Sequence, residues 1–210
     1  MWWRGPWTAP AAAGSRHAAR LQERGRTDRL GARERLGCNE SDPVPLDALA
    51  GGLGVDIVSA AQLVPIERLE ELQHLQDDAF SAATLRRRDG RRVVVFNPLH
   101  ADGRTRSNQA HELAHIVLQH TLRTIENVGS MSFVTCDIEQ EEEADWLGGC
   151  LLLPRPILLR AAKRGESQQQ IAEGYQTSEP MARFRLNASG VLVQVGRAKA
   201  ARQRQTGRSG

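Results

Sequence analysis

The apolar residues of the chain recur in two kinds of pattern, which predict a mixture of helices and strands. Helical spacing of three and four residues is found over residues 47–53, 65–78, 104–120, 138–153, 168–175 and 178–186. Residues 55–58 alternate as a strand would, and residues 82–88 and 91–97 are two further expected strands on either side of a turn dipeptide. The pattern therefore predicts an α+β protein with a small sheet.

Two of the expected strands form a β-hairpin. The dipeptide Asp89-Gly90 separates residues 82–88 from residues 91–97, and it suits the positive φ angles of a two-residue turn. Residues 93–96 are apolar at every position, which predicts a strand covered on both faces. The hairpin thus leads a buried strand directly into the next helix.

The two longest expected helices follow this hairpin. For the helix over residues 104–120, Asp102 or Ser107 is the candidate N-cap. The helix over residues 138–153 ends at Pro154 and a second proline two residues later, because the residue before a proline is pushed away from helical geometry. These two helices carry most of the residues that are suited to metal chemistry.

Charge divides the chain into parts. Both ends are basic and the centre is acidic, so the net charge of +3 is the sum of a positive charge at the ends and a negative charge in the centre. Basic ends can touch nucleic acid non-specifically, but they are more often only solvated. We expect a basic disordered arm over residues 1–40 and a main folded domain over residues 41–165. A helix-turn-helix-like end of the same unit is expected over residues 166–195, followed by a basic disordered tail over residues 196–210.

The sequence carries no sign of export or membrane insertion. Its N-terminus lacks the continuous apolar stretch of a secretory signal, and its apolar clusters are far too short to cross a bilayer. The cysteines Cys38, Cys136 and Cys150 are odd in number and irregularly spaced, which fits a reducing compartment. We therefore expect a cytoplasmic protein without a membrane partner, whose thiols are buried or incidental.

The most specific chemistry lies in the segment His111-Glu112-Leu113-Ala114-His115. Histidines four residues apart on a helix point the same way, so the two imidazoles can take two corners of a tetrahedral zinc site. Glu112 lies between them, where a carboxylate can accept a proton from a metal-activated water and pass it to a leaving amine. A chance pattern on an ordinary helix is the alternative, but the apolar setting and the acid-rich helix that follows favour zinc-dependent hydrolysis.

A catalytic metal site needs a third protein ligand, and the acid-rich helix over residues 138–153 offers candidates. The residues that share one face of it are Glu141, Ala144, Asp145 and Gly148. Because the two small residues let this helix approach the histidine-bearing helix closely, we choose Glu141 as the ligand. Glu142 and Glu143 point elsewhere and are expected to face solvent.

Further polar side chains flank the expected site. Asp145, one turn beyond Glu141, is expected to hold a ligating histidine through its other ring nitrogen. His100 and His120 could polarise a substrate carbonyl, but such histidines more often lie at the surface, so neither is assigned. Tyr175 is the one tyrosine of the sequence, and no spacing argument places it at the metal.

Residues 168–186 give a rival signal, because they also read as a helix-turn-helix with Arg183 and Arg185 on its second helix. The alternative function is therefore a regulatory protein-binding or DNA-binding module in which zinc is only structural. Such helix pairs often serve as packing modules, so direct binding to nucleic acid is not favoured.

Over about residues 43 to 193, the chain resembles the ImmA/IrrE family of zinc metallopeptidases. The segments that carry the resemblance are residues 93–98, 104–118 with the HELAH motif, 141–154 and the helical ending 171–190. The resemblance implies a zincin-like metallopeptidase domain, with a small β-sheet packed on the HExxH helix. A helix-turn-helix-like helical portion is implied at the C-terminal end.

The resemblance also implies a ligand set and a substrate. In the family, one zinc ion is held by the two histidines of HExxH and by a glutamate of an E-x-x-A-N segment, which fall on His111, His115 and Glu141. The implied activity is a site-specific cut in a helix-turn-helix repressor that derepresses a mobile element or a stress regulon. The departures from the family's usual sequence are Asn108-Gln109, Asp145 and Leu147-Gly148-Gly149. They leave the ligand set intact and the substrate preference open.

Overall fold

The computed structural model describes residues 31, 34, 36–39, 41–76, 79–120, 124–128, 131–135 and 137–206. Its elements in chain order are α1 (Leu46–Gly52), β1 (Asp56–Ser59), α2 (Ile66–Leu75), β2 (Ala82–Arg86), β3 (Arg92–Phe96), α3 (Asp102–Val117), β4 (Thr124–Val128), β5 (Met131–Thr135), α4 (Ile138–Leu152), α5 (Arg155–Arg164), α6 (Gln168–Tyr175), α7 (Glu179–Ala188) and α8 (Val191–Thr206). The architecture is α+β, as the apolar pattern predicted. The expected arm over residues 1–40 lies almost wholly outside the described residues.

Strand β3 forms the centre of a three-stranded sheet, where it is parallel to β1 and antiparallel to β2. Val94 faces the main core beside α3, whereas Val93 and Val95 face a smaller apolar cluster that includes Leu69 of α2. The prediction of a strand covered on both faces is therefore confirmed. The sheet packs on α3 through β2 and β3 and so supports the helix that carries the histidines.

The turn between β2 and β3 is one residue longer than the two-residue turn that we expected. The N–H of Arg87 donates to the carbonyl of Arg91 at 2.8 Å, which leaves the three residues 88–90 as the loop. Gly90 has φ +86, a left-handed conformation that glycine adopts without strain. This arrangement is typical of three-residue hairpin loops, which end in a residue of that conformation.

Helix α3 begins without a side-chain cap, because Ala101 occupies the N-cap position. Both expected caps were therefore wrong: Asp102 is the first residue of the helix, and Ser107 is buried inside it. The hydroxyl of Ser107 donates to the carbonyl of Gly103 and accepts from the backbone N–H of Ser178, each at 2.8 Å. Since Ser178 is itself the N-cap of α7, this serine joins the histidine-bearing helix to the C-terminal helices.

The main core lies between α3, α4 and the helices that follow α4. Its largest fully buried apolar side chains include Leu113, Leu147, Leu151, Leu152, Leu158 and Ile171.

Within the described ranges, no helix is long and apolar enough to cross a membrane.

Several elements differ from expectation. The hairpin of β4 and β5 and helix α5 were not predicted. Pro156 was expected to mark the end of a helix, but it lies in the first turn of α5, where proline's missing N–H has no intrahelical partner to lose. Helix α8 reaches Thr206, across much of the segment 196–210 that we expected to be a disordered tail. This segment is rich in Ala, Arg and Gln, which favour helix, and Arg155 of α5 ties α8 down through a 2.7 Å bond to Gln194.

Candidate metal centre

Three side chains converge between α3 and α4, namely His111, His115 and Glu141. Nε2 of His111 lies 3.0 Å from Nε2 of His115 and 3.2 Å from Oε2 of Glu141, and the third separation, from His115 Nε2 to Glu141 Oε1, is 3.7 Å. A tetrahedral zinc ion with nitrogen and oxygen ligands at about 2.0–2.1 Å separates its ligand atoms by about 3.3 Å. The donor atoms and their spacing therefore fit one small cation.

The close approach of α3 and α4 creates this cluster. A Cβ atom added to Gly148 of α4 would lie 3.0 Å from the carbonyl oxygen of Ala110 and 3.1 Å from Cα of His111, which is tighter than ordinary contact. A glycine thus lets the two backbones meet next to the first histidine. The structure brings together the three residues that we selected as ligands from the sequence.

Negative charge surrounds His111. Its Nδ1 lies 2.9 Å from Oδ1 of Asp145, on the side of the ring that faces away from the cluster. Burial lowers the pKa of His111, but the hydrogen bonds to Asp145 and Glu141 and the charge of Glu112 outweigh burial and raise this pKa to about 10. The surroundings therefore favour a positive charge at this position, which a bound cation would supply.

Glu112 is buried beside the two histidines, with 6% of its surface exposed. The hydroxyl of Thr84 on β2 donates to Oε2 of Glu112 at 2.7 Å and fixes the orientation of the carboxylate. Thr84 was missed in the sequence analysis, because no local pattern connects a residue of the sheet to a helix 28 positions later.

His120 and Glu143 lie next to the cluster rather than at the surface. His120 is only 8% exposed, and its Nδ1 lies 3.0 Å from Nδ1 of His115. On its other side, Nε2 of His120 lies 2.9 Å from Oε2 of Glu143. His120, which the sequence left unassigned, is therefore not a surface residue, and the expectation that Glu143 faces solvent was wrong.

Three of the remaining candidates lie elsewhere in the described part of the chain. His100 precedes α3 in the loop after β3, and Cys150 is a buried free thiol on α4. Tyr175 lies at the end of α6, where it is partly buried against the main core. Cys136 lies outside the described residues.

Arg185, one of the two arginines behind the helix-turn-helix interpretation, is a structural residue. It is 2% exposed, and its Nε and Nη2 each donate to the carbonyl of Leu153 at 3.3 Å. Its guanidinium carbon lies 5.1 Å from the ring centroid of Trp146, within the range of a cation–π contact. Arg183 is exposed, so Arg183 alone of this pair could reach a partner.

Two histidines four residues apart, a glutamate between them and a carboxylate from the next helix define a metallopeptidase type of site. A family model described as the IrrE N-terminal-like domain, peptidase M78, matches residues 60–187, which include the whole cluster. The chain therefore belongs to this metallopeptidase family, and the resemblance to ImmA/IrrE proteins is confirmed. No curated protein and no solved structure matches the chain.

Proposed function

We propose that the chain is a zinc-dependent endopeptidase of the cytoplasm that makes a site-specific cut in a helix-turn-helix repressor. The observation that carries the proposal is the cluster of His111, His115 and Glu141 next to the buried carboxylate of Glu112. The nitrogen and oxygen donors and their spacing support zinc as the cation. The resemblance to ImmA/IrrE metallopeptidases supports the repressor as the substrate.

The three residues of the cluster are the proposed metal ligands, and Asp145 supports one of them. His111 and His115 would hold the ion through Nε2, and Glu141 would hold it through its carboxylate. A bound zinc ion would act as a Lewis acid, which would polarise the scissile carbonyl and lower the pKa of the attacking water. Asp145 accepts a hydrogen bond from Nδ1 of His111, which leaves the Nε2 lone pair directed at the cluster.

Glu112 carries the proton. Its carboxylate accepts a proton from the attacking water and delivers it to the leaving amine. Burial keeps bulk water away from this carboxylate, and the bond from Thr84 holds one of its oxygens in place. The proton acceptor is thus oriented before the substrate binds.

The edge of the sheet offers a place for the substrate. The strand order β1-β3-β2 puts β2 at an edge, and within the described residues no strand pairs with its outer side. An extended peptide that adds to β2 would run past Thr84 and therefore past Glu112. Because such pairing needs an extended backbone, we expect the cut to fall in a linker or loop of the repressor rather than inside one of its helices.

The alternative function, a regulatory module with a structural zinc, fits the geometry less well. Structural zinc sites are closed by four protein ligands. Among the residues that the structure describes, this cluster contains three side chains able to bind a metal, and Arg185 of the second helix is buried. The three-ligand cluster favours an open catalytic site, and the burial of Arg185 removes one of the two arginines that the binding module would present to a partner.

A cleavage assay tests the proposal. The zinc-loaded protein is incubated with purified helix-turn-helix regulators, beginning with one encoded next to its gene, and the products are identified by mass spectrometry. Glu112→Gln should bind zinc like the wild type and cut about 10²-fold to 10⁴-fold more slowly. Glu139→Gln makes the same carboxylate-to-amide change at an exposed position of α4 and should cut normally. Wild-type cutting by Glu112→Gln would refute its role, and full activity in a strong chelator would refute metal dependence.

A further inference from the structure

A hydrogen-bonded chain of three residues connects α4 to the second histidine of the cluster. Nδ1 of His115 lies 3.0 Å from Nδ1 of His120, and Nε2 of His120 lies 2.9 Å from Oε2 of Glu143. The side chains of His115 and Glu143 are 14% and 20% exposed, and His120 is 8% exposed. The two hydrogen bonds that join these three side chains are therefore shielded from most competing water.

The backbone at the end of α3 places His120 against His115. Gln119 adopts a left-handed conformation, with φ 56, so the chain turns back after the helix. The N–H of His120 donates to the carbonyl of His115 at 2.9 Å, and the N–H of Gln119 donates to the carbonyl of Ile116 at 3.1 Å. This pair of bonds is a Schellman motif, whose outermost residue normally packs on the last turn of the helix. In this protein the contact joins two imidazoles.

Metal binding dictates which ring nitrogens of His115 and His120 carry a proton. If Nε2 of His115 gives its lone pair to the ion, the proton of a neutral imidazole lies on Nδ1 and is donated to His120. Nδ1 of His120 is then the acceptor, so its own proton lies on Nε2 and is donated to Glu143. With both imidazoles neutral, one arrangement of protons satisfies both bonds, and it is the one that leaves Nε2 of His115 free to bind a metal.

We propose that His120 and Glu143 are a positioning pair, which orients the imidazole of His115 and makes its Nε2 a better metal ligand. Glu143 draws the proton of His120 towards itself, and His120 in turn polarises the Nδ1–H bond of His115. Each ligating histidine is thus supported by a carboxylate of α4, directly for His111 through Asp145 and through an intervening imidazole for His115. The inference rests on the proposed metal site.

Zinc affinity, measured by competition with a chromophoric chelator on the full chain, tests the pair. His120→Phe keeps a ring but removes both bonds, so the dissociation constant for zinc should rise about 10-fold to 100-fold. His120→Asn places an amide oxygen near the former Nδ1 and should recover part of this loss, because it still accepts from His115. Glu143→Gln should weaken binding more than Glu139→Gln, which removes the same charge from an exposed position on the same helix.

A second readout separates positioning from a general loss of structure. The visible spectrum of the cobalt-loaded protein reports the ligand field, and it should shift in His120→Phe and Glu143→Gln but not in Glu139→Gln. Zinc binding in His120→Phe that equals the wild type, or no recovery in His120→Asn, would overturn the positioning pair alone. Failure of the wild-type protein to bind zinc would overturn the metal site itself and the pair with it.

Discussion

Gly148 offers a direct test of the packing that brings the cluster together. Substituting Gly148→Ala adds a Cβ atom 3.0 Å from the carbonyl oxygen of Ala110 and 3.1 Å from Cα of His111. Ordinary contacts of this kind begin at 3.4 Å, and the neighbours are backbone atoms of α3, which cannot rotate away. The two helices must therefore separate by a few tenths of an ångström.

The expected magnitude combines two opposing effects. Overpacking at a rigid contact costs about 1–3 kcal/mol, whereas replacing glycine by alanine inside a helix stabilises it by about 1 kcal/mol. We expect the free energy of unfolding of the metal-free protein to fall by about 0–2 kcal/mol. The free energy of zinc binding should weaken by more than the free energy of unfolding does, because the separation moves Glu141 and Asp145 away from His111.

Gly196→Ala is the matched control for this experiment. Gly196 lies inside α8, and a Cβ atom added there meets no atom within 4 Å. The control should gain about 1 kcal/mol of stability from helix propensity and bind zinc normally. Urea unfolding of the metal-free proteins and chelator competition give the two quantities. The packing argument would be wrong if Gly148→Ala were as stable as Gly196→Ala and bound zinc as tightly.

Three other predictions follow from the site and the core. Glu141→Ala should abolish stoichiometric zinc in metal analysis, whereas Glu142→Ala should retain it; equal zinc contents would remove Glu141 from the ligand set. Thr84→Val should keep zinc but lower kcat about 10-fold or more, since a hydrogen bond to a charged group is lost, and Thr84→Ser should restore activity if the hydroxyl is responsible. Arg185→Ala should lower the free energy of unfolding by about 2–4 kcal/mol, because it removes both hydrogen bonds to the carbonyl of buried Leu153. Arg183→Ala, a substitution at an exposed position, should change the free energy of unfolding by less than about 0.5 kcal/mol.

The features that the sequence predicted correctly depend on regular local spacing. The period of a helix alone brings His111 and His115 to the same side, and the face shared with Gly148 singled out Glu141 from its acidic neighbours. The buried strand β3 was evident from its uninterrupted valines. In these cases the information lies within one or two turns of the residue concerned.

The features that were missed depend on irregular or distant structure. His120 reaches His115 because Gln119 leaves helical geometry, and no helical period describes that turn. Glu143 lies against His120, which that turn places beside it, so a helical-face argument leaves Glu143 in solvent. Arg185 looked like a surface arginine because its burial requires Trp146, which comes from another helix. Tertiary contacts of this kind override local pattern.

A crystal structure of the zinc-loaded protein, with the ion located by its anomalous scattering, tests the central claim most directly. The account predicts one zinc peak bounded by Nε2 of His111, Nε2 of His115 and the carboxylate of Glu141, with no fourth protein ligand, next to the carboxylate of Glu112. A zinc ion closed in by four protein side chains, or a peak elsewhere in the molecule, would contradict it.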